Sequence, residues 1–100
     1  MKYKLVIQDT AKLDILEAIY YYNSKQNNLG KRFFTAFKSK IKTIRSNPEG
    51  YALRYEDVRM AKIDNFPYMI HFQLDITKNS IFILAVFYEG ENPEKWMKLI

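Results

Sequence analysis

Apolar residues recur along the chain with two different periods, and the change of period separates predicted strands from predicted helices. Tyr3, Leu5 and Ile7 alternate with their neighbours near the start, which predicts a half-buried strand. In the next two segments the apolar residues recur every three or four positions, which predicts two amphipathic helices separated by polar turn residues from Ser24 to Gly30. The apolar stripe of the first helix comprises Ala11, Ile15, Ala18, Ile19 and Tyr22, and that of the second comprises Leu29, Phe33, Phe37, Ile41 and Ile44.

The second half of the chain shows strand patterns. A polar loop over Tyr51 to Asp57 precedes weak alternation over Val58 to Ile63, a second strand over Tyr68 to Asp75 and an almost wholly apolar strand over Ile81 to Tyr88. The tail, Asn92 to Trp96, predicts a short helical turn with proline at its start. Strands grouped after helices are typical of an α+β fold. We expect two layers, with the helix hairpin on one face of a sheet made of the N-terminal strand and a three-stranded antiparallel meander.

Composition excludes several kinds of site. The chain has no cysteine and one histidine, so disulfides and a zinc site are excluded and no metal or cofactor is expected. The apolar run at the N-terminus is broken by Gln8 and Asp9, which makes it too short for a signal peptide or a membrane span, and we expect a cytoplasmic protein. One hundred residues fit a single domain over residues 1–100.

Positive charge is concentrated in the second predicted helix. The chain has 16 Lys and Arg against 11 Asp and Glu, a net charge of +5, and the stretch from Lys31 to Arg45 holds no acidic residue. Such a surface attracts nucleic acid or an acidic protein segment. A solvated helix face is the alternative, and charge alone does not separate the two.

Arg59 and His71 are candidate functional groups on predicted strands. Arg59 alternates with Ala61 and Ile63, so its guanidinium projects from one face and suits a phosphate; a surface ion pair is the alternative. His71 shares a face with Met69 and Gln73, which places it on the more polar side of the sheet, away from the helices. A lone histidine in a strand is more often structural than catalytic.

A second apolar strip lies off the main stripe of the first helix. It comprises Leu13, Leu16 and Tyr20. In a small domain such a strip is either a further part of the core or a surface that binds a partner.

Several short motifs, in their order and spacing, resemble the RelE/ParE family of toxins from bacterial type II toxin-antitoxin systems. They are Ala11 to Asp14 with Tyr20-Tyr21-Tyr22, Leu29-Gly30-Lys31-Arg32-Phe33, Asn47-Pro48, Val58-Arg59, Phe66-Pro67-Tyr68-Met69-Ile70, Ile83-Leu84-Ala85-Val86-Phe87, and Asn92-Pro93-Glu94-Lys95-Trp96. The resemblance covers nearly the whole chain. It implies a cytoplasmic growth inhibitor of the plasmid-stabilisation type, which a cognate antitoxin neutralises.

Members of the family differ in their target, and the resemblance implies two activities. RelE-like toxins cut mRNA on the ribosome without a metal, and ParE-like toxins poison DNA gyrase. For a nuclease, the candidate catalytic residues are Arg59, which matches an arginine of the family, then Tyr88, Lys62 and Lys95, with His71 the weakest. Tyr88 stands where many relatives have histidine.

The residues after Tyr88 favour the gyrase alternative. Glu89 and Glu91 stand where relatives often have basic residues, and two carboxylates there repel an RNA backbone. ParE-like inhibition of gyrase is therefore slightly favoured over the RelE-like nuclease. A degenerate member that only binds an antitoxin is the third possibility.

All three possibilities predict an antitoxin partner. Its predicted contact residues are the apolar strip, Leu13, Leu16 and Tyr20, and the basic residues Lys38, Lys42 and Arg45. Because the neutralising segments of most antitoxins are acidic, the basic residues are expected to steer association.

Overall fold

The computed structural model describes residues 3–99. In chain order its elements are β1 (Lys4–Ile7), α1 (Asp9–Lys25), α2 (Leu29–Ser46), a 3-10 turn (Pro48–Gly50), β2 (Leu53–Tyr55), β3 (Val58–Lys62), β4 (Tyr68–Asp75), β5 (Ser80–Tyr88) and α3 (Glu94–Met97). The described strands form one five-stranded sheet in the order β1-β5-β4-β3-β2, with β1 parallel to β5 and all other neighbours antiparallel. The predicted α+β fold is confirmed.

The segment Tyr51 to Asp57 departs from the prediction. Its middle residues form β2, a three-residue edge strand that pairs with β3 through an irregular register. So short a segment has no alternation to detect, and its pairing with β3 is what makes it a strand. The predicted loop is therefore wrong for Leu53–Tyr55, and the meander has four strands.

The two long helices cover one face of the sheet with the predicted apolar stripes. The buried stripe residues are Ala11, Ile15, Ala18, Phe33, Phe37, Ile41 and Ile44, and Ile19, Tyr22 and Leu29 pack half-buried against them.

Lys40 falls within the apolar arc of α2. Its side chain is only 17% exposed, and its ammonium lies 3.3 Å from the carboxylate of Asp64. The stem therefore packs along the core while the charge reaches a partner.

Gly30 brings the two helices together. It lies in the first turn of α2, where a Cβ atom would overlap the carbonyl oxygen of Ile19 and the side chain of Asn23. The side-chain oxygen of Asn23 accepts a hydrogen bond of 2.8 Å from the Gly30 N–H. The turn between the helices is therefore confined to residues 26–28, and Gly30 is a packing contact rather than a turn residue.

Side chains of α1 cover the edge of β5 where it extends past β1. The Thr10 hydroxyl donates to the carbonyl of Leu84 (3.1 Å), and the Asp14 carboxylate accepts the Val86 N–H (3.0 Å). These bonds satisfy backbone groups that β1 does not reach, since β1 pairs only with residues 80–83. Burial raises the pKa of Asp14, and the hydrogen bond from Val86 opposes that shift only in part.

The C-terminal segment covers the middle of the opposite face. Trp96 of α3 stacks on Tyr55 of β2 with 5.4 Å between ring centroids, and it contacts His71 at 5.3 Å. Phe87 contacts the His71 ring at 5.0 Å. We call Tyr55, His71, Phe87 and Trp96 the aromatic cluster.

No helix within residues 3–99 has the length and apolar character to cross a bilayer.

Candidate functional site

Arg59 projects toward the helix layer. It pairs with Phe72 across β3 and β4, and directly paired residues share a face of the sheet. Its guanidinium donates a hydrogen bond of 2.6 Å to the carbonyl of Tyr51, and its Nε is buried without a partner among the described residues. Arg59 therefore holds the segment before β2, and its predicted role toward a phosphate stays a prediction.

His71 lies on the other face, because it pairs with Met60 whereas Arg59 pairs with Phe72. The expected orientation away from the helices is right, but the expected polar surroundings are wrong. His71 is 0% exposed, because the other three members of the aromatic cluster enclose its ring. Its Nδ1 is 2.8 Å from the Tyr55 hydroxyl, and its Nε2 is buried without a partner among the described residues.

The aromatic cluster keeps both of its titratable groups neutral. Burial, and to a smaller extent the nearby charge of Arg54, lowers the pKa of His71 to about 4. Burial also raises the pKa of Tyr55 to about 12. A neutral imidazole sealed from solvent cannot exchange protons with a bound substrate, so the geometry favours a structural role for His71.

Tyr88 and Lys95 meet in one pocket of about 260 Å³ between α1 and the end of β5. We call it the carboxylate pocket. Its walls include the carboxylates of Asp14, Glu17 and Glu91, the tyrosines Tyr21, Tyr68 and Tyr88, and Lys95. Lys95 forms an ion pair of 2.9 Å with Glu91, which raises the pKa of Lys95 and keeps it protonated.

The remaining candidates lie elsewhere. The Lys62 ammonium donates to the carbonyls of Ile63 (3.4 Å) and Phe66 (3.2 Å), in the turn between β3 and β4. Arg59 on β3 lies two strands away from Tyr88 on β5, and the two residues are offset by four positions along the strands. At the usual strand spacing and rise per residue, their Cα atoms are about 16 Å apart. The structure brings together Tyr88 and Lys95 alone among the five catalytic candidates.

This arrangement limits the chemistry that the candidates can perform. RNA cleavage needs a base for the 2′-hydroxyl and cations around the charged phosphorane. The two candidates that meet lie among three carboxylates, and the guanidinium of Arg59 is bound to a backbone carbonyl. The pocket suits a cation better than a phosphate.

A larger apolar groove lies on the other flank of α1. Its volume is about 620 Å³, and it is lined by Leu5 and Ile7 of β1, Ile15, Leu16 and Ile19 of α1, and Phe34, Phe37 and Ile41 of α2. We call it the interhelix groove. Lys12 and Lys38 form its rim, and the Lys38 ammonium lies 4.8 Å from the centroid of the Phe34 ring. An apolar floor with a basic rim suits an amphipathic acidic segment.

Comparison with known proteins decides the family. Residues 5–93 match the model of the ParE toxin of the type II toxin-antitoxin system parDE. The chain belongs to the ParE toxin family of type II toxin-antitoxin systems. The resemblance to RelE/ParE toxins that the sequence motifs indicated is therefore confirmed.

Solved structures share the fold of this ParE-family toxin. A chain of the chromosomal ParDE TA system from P. aeruginosa is 15% identical, with a TM-score of 0.75 over 87% of this chain and 96% of that one. A mutant of the E. coli toxin RelE, in complex with an antitoxin RelBc peptide, is 20% identical, with a TM-score of 0.67 over 100% and 96%. The intact E. coli RelBE toxin-antitoxin complex contains a chain that is 18% identical, with a TM-score of 0.63 over 90% and 99%. No curated protein matches the chain significantly.

The residues predicted for partner binding divide between surface and scaffold. Leu13, Leu16 and Tyr20 are 61%, 62% and 81% exposed, so they are not further core of the toxin. Leu16 and Lys38 line the interhelix groove, and Lys42 is exposed. Arg45 donates a hydrogen bond of 2.6 Å to the carbonyl of Tyr3, which ties the end of α2 to the start of β1.

Sequence reasoning missed two residues of the interhelix groove. Phe34 lies two helical turns before Ile41 on the same side of α2, so it widens the apolar stripe there. The helical spacing of these two residues could have indicated that Phe34 belongs to the groove. No pattern in the sequence could have indicated Lys12, because only the packing of α1 against α2 places it on the rim of the groove.

Proposed function

We propose that this ParE-family toxin arrests bacterial growth by binding DNA gyrase, without cutting RNA. The observation that supports it is the surroundings of Tyr88 and Lys95, which lie among the carboxylates of Asp14, Glu17 and Glu91. We infer a cytoplasmic, single-domain toxin over residues 1–100, of the kind that stabilises plasmids.

Charge and geometry both disfavour the nuclease alternative. A polyanionic RNA backbone is repelled by a pocket whose carboxylates outnumber its ammonium group. Arg59 could approach an RNA bound at Tyr88 only by releasing its hydrogen bond to Tyr51. A protein-binding inhibitor requires neither a gathered set of cations nor a titrating base.

Two assays with the same purified protein test the proposal. We expect the protein to inhibit supercoiling by gyrase and to leave a reporter mRNA intact in a reconstituted translation reaction. Cuts inside codons that appear only during translation, and that disappear in an Arg59→Ala variant which still folds, would establish the nuclease. A protein that does neither and causes no growth arrest would be the degenerate member.

We further propose that an antitoxin binds the interhelix groove through an acidic amphipathic segment. The apolar floor provides the buried contact, and Lys12 and Lys38 complement acidic residues at the edge. One structure with this fold is a RelE mutant in complex with an antitoxin peptide, which supports a peptide-like occupant. Leu13, Tyr20, Lys42 and Arg45 lie outside the groove lining, and their contact with the antitoxin stays a prediction.

Leu13 and Leu16 provide a matched pair for testing the groove. They lie on the same helix with nearly equal exposure, but only Leu16 lines the groove. We expect Leu16→Glu to weaken binding of the cognate antitoxin about 30-fold or more, and Leu13→Glu to weaken it less than about threefold. Equal losses in the two variants would place the antitoxin on the outer surface of α1. The association rate should also fall as salt rises.

A further inference from the structure

The carboxylate pocket differs in chemistry from the interhelix groove. Tyr21 and Tyr88, each 51% exposed, line it together with the half-buried Tyr68, whose ring centroid is 6.0 Å from that of Tyr88. Glu17 and Glu91 lie on the same walls. Aromatic faces beside carboxylates form the kind of site that binds an organic cation.

The pocket already holds one cation from the chain itself. The Lys95 ammonium pairs with Glu91 at 2.9 Å and lies 5.3 Å from the centroid of the Phe87 ring. Glu91, Asp14 and Glu17 each raise the pKa of Lys95, so all three carboxylates act on this ammonium. Lys95 is 51% exposed and has a flexible stem, and it can therefore leave without disturbing the core.

One ammonium does not balance the charge of the pocket. Burial raises the pKa of Asp14 most, and the neighbouring charges of Glu17 and Glu91 raise it further although Lys95 opposes them. Like charges in the pocket therefore still repel one another, and a second or stronger cation would relieve that repulsion. This negative pocket stands out on a chain whose net charge is +5.

We propose that the carboxylate pocket binds an arginine side chain of the protein on which the toxin acts, and that Lys95 occupies the site until that arginine displaces it. The proposal rests on the proposed function, that of a toxin whose target is a protein. Arginine is favoured over lysine because a planar guanidinium stacks on tyrosine and forms paired hydrogen bonds with carboxylates.

Opposite charges separate this pocket from the interhelix groove. The groove has a lysine rim and suits an acidic segment, whereas the carboxylate pocket suits a basic one. The two sites lie on opposite flanks of α1, since at about 100° per residue Lys12 and Leu16 point away from Asp14 and Glu17. Antitoxin and target are therefore recognised by different surfaces.

Titration of the purified toxin with the peptide acetyl-Gly-Arg-Gly-amide, followed by NMR, tests the pocket directly. We expect saturable shifts of the ring signals of Tyr21, Tyr68 and Tyr88, and much smaller shifts with the corresponding Gln peptide. Lys95→Gln should tighten binding about threefold, because it removes the internal competitor, and Glu17→Gln should weaken it about threefold.

The matched control is Asp75→Asn, which removes a carboxylate from a different pocket next to Asp57. We expect this variant to bind the arginine peptide as the wild type does. Absence of saturable shifts, weaker binding by Lys95→Gln, or an equal effect of Asp75→Asn would overturn the proposal.

A supercoiling assay then connects the pocket to the target. Glu17→Gln should require about threefold more toxin for the same inhibition of gyrase, while Asp75→Asn should match the wild type. Unchanged inhibition by Glu17→Gln would overturn the assignment of the arginine to the target. Because the peptide titration contains no gyrase, a wild-type toxin that binds the peptide but does not inhibit gyrase would contradict the proposed target and support the pocket.

Discussion

The two faces of the sheet are covered in different ways. Two long helices cover one face with a continuous apolar layer, in which Phe33, Ile44 and Ile70 are fully buried. Trp96, from a four-residue helix, and Tyr55, from a three-residue strand, cover the middle of the other face. The first face therefore depends on elements with long periodic patterns, and the second on short elements that contact each other only in the folded chain.

The difference matters most for polar groups. The helix-covered face buries part of the Arg59 guanidinium, which donates to the carbonyl of Tyr51 while its Nε has no partner among the described residues. The opposite face buries the whole of His71 and satisfies one ring nitrogen of the two. We therefore expect the helix-covered face to provide most of the stability and the opposite face to make that stability depend on pH.

Phe33→Ala should have the largest effect. The Phe33 ring is fully buried and lies 5.2–5.5 Å, between centroids, from Tyr22, Phe66 and Tyr68. Removing it leaves a cavity in the main core, and we expect the free energy of unfolding to fall by about 3–5 kcal/mol in urea denaturation. The control is Phe34→Ala, at an exposed position, which should cost about 1 kcal/mol or less. Similar losses at the two positions would contradict the assignment of the Phe33 ring to the main core.

Acid should destabilise the protein through His71. The unfolded chain protonates this imidazole near pH 6.5, whereas the folded chain does so only near pH 4. Stability is therefore unaffected by this group above pH 6.5 and decreases as the pH falls, by about 3 kcal/mol once the pH is below 4.

The pH dependence can be isolated by comparing urea denaturation of the wild type and a His71→Phe variant between pH 7 and 4. The difference between their free energies of unfolding should change by about 3 kcal/mol over that range. Asp14, whose raised pKa acts in the opposite direction, cancels in the comparison because both proteins contain it. A difference that stays constant with pH would mean that His71 is not sealed from solvent.

Trp96→Ala should open the aromatic cluster. The indole is only partly buried, so we expect a loss of about 2 kcal/mol, below the usual range for a fully buried tryptophan. The pKa of His71, followed by NMR titration, should rise toward 6.5 as water reaches the ring. Glu94→Gln, at an exposed position of the same helix, is the control and should leave that pKa unchanged.

Tyr55→Phe should have the smallest effect. It keeps the ring that stacks on Trp96 but removes the hydroxyl 2.8 Å from His71 Nδ1. A buried nitrogen without its partner costs about 1 kcal/mol. Tyr20→Phe, at a position 81% exposed, should change stability by less than about 0.5 kcal/mol. Equal values for the two variants would show that the hydrogen bond contributes nothing.

Most of the fold could be predicted because its information is local. Apolar periodicity identified α1, α2 and β3 to β5. The roles of Gly30 and Asp14 could not be predicted, since Gly30 packs against the other helix and Asp14 accepts a hydrogen bond from β5. The candidate site was predicted less well for the same reason: Tyr88 and Lys95 meet, while Arg59 and His71 lie on opposite faces.

By itself the sequence determined the α+β class and the buried stripes of the helices, because both depend on residue types at short, regular spacings. The order of its motifs along the chain indicated the toxin family by resemblance, and the match to the family model confirmed it. Tertiary structure alone decided which charges share a surface. Strand register placed Arg59 and His71 on opposite faces, and the packing of α1 separated a lysine-rimmed groove from a carboxylate pocket. These outcomes depend on contacts between residues far apart in the chain, and local periodicity holds no information about such contacts.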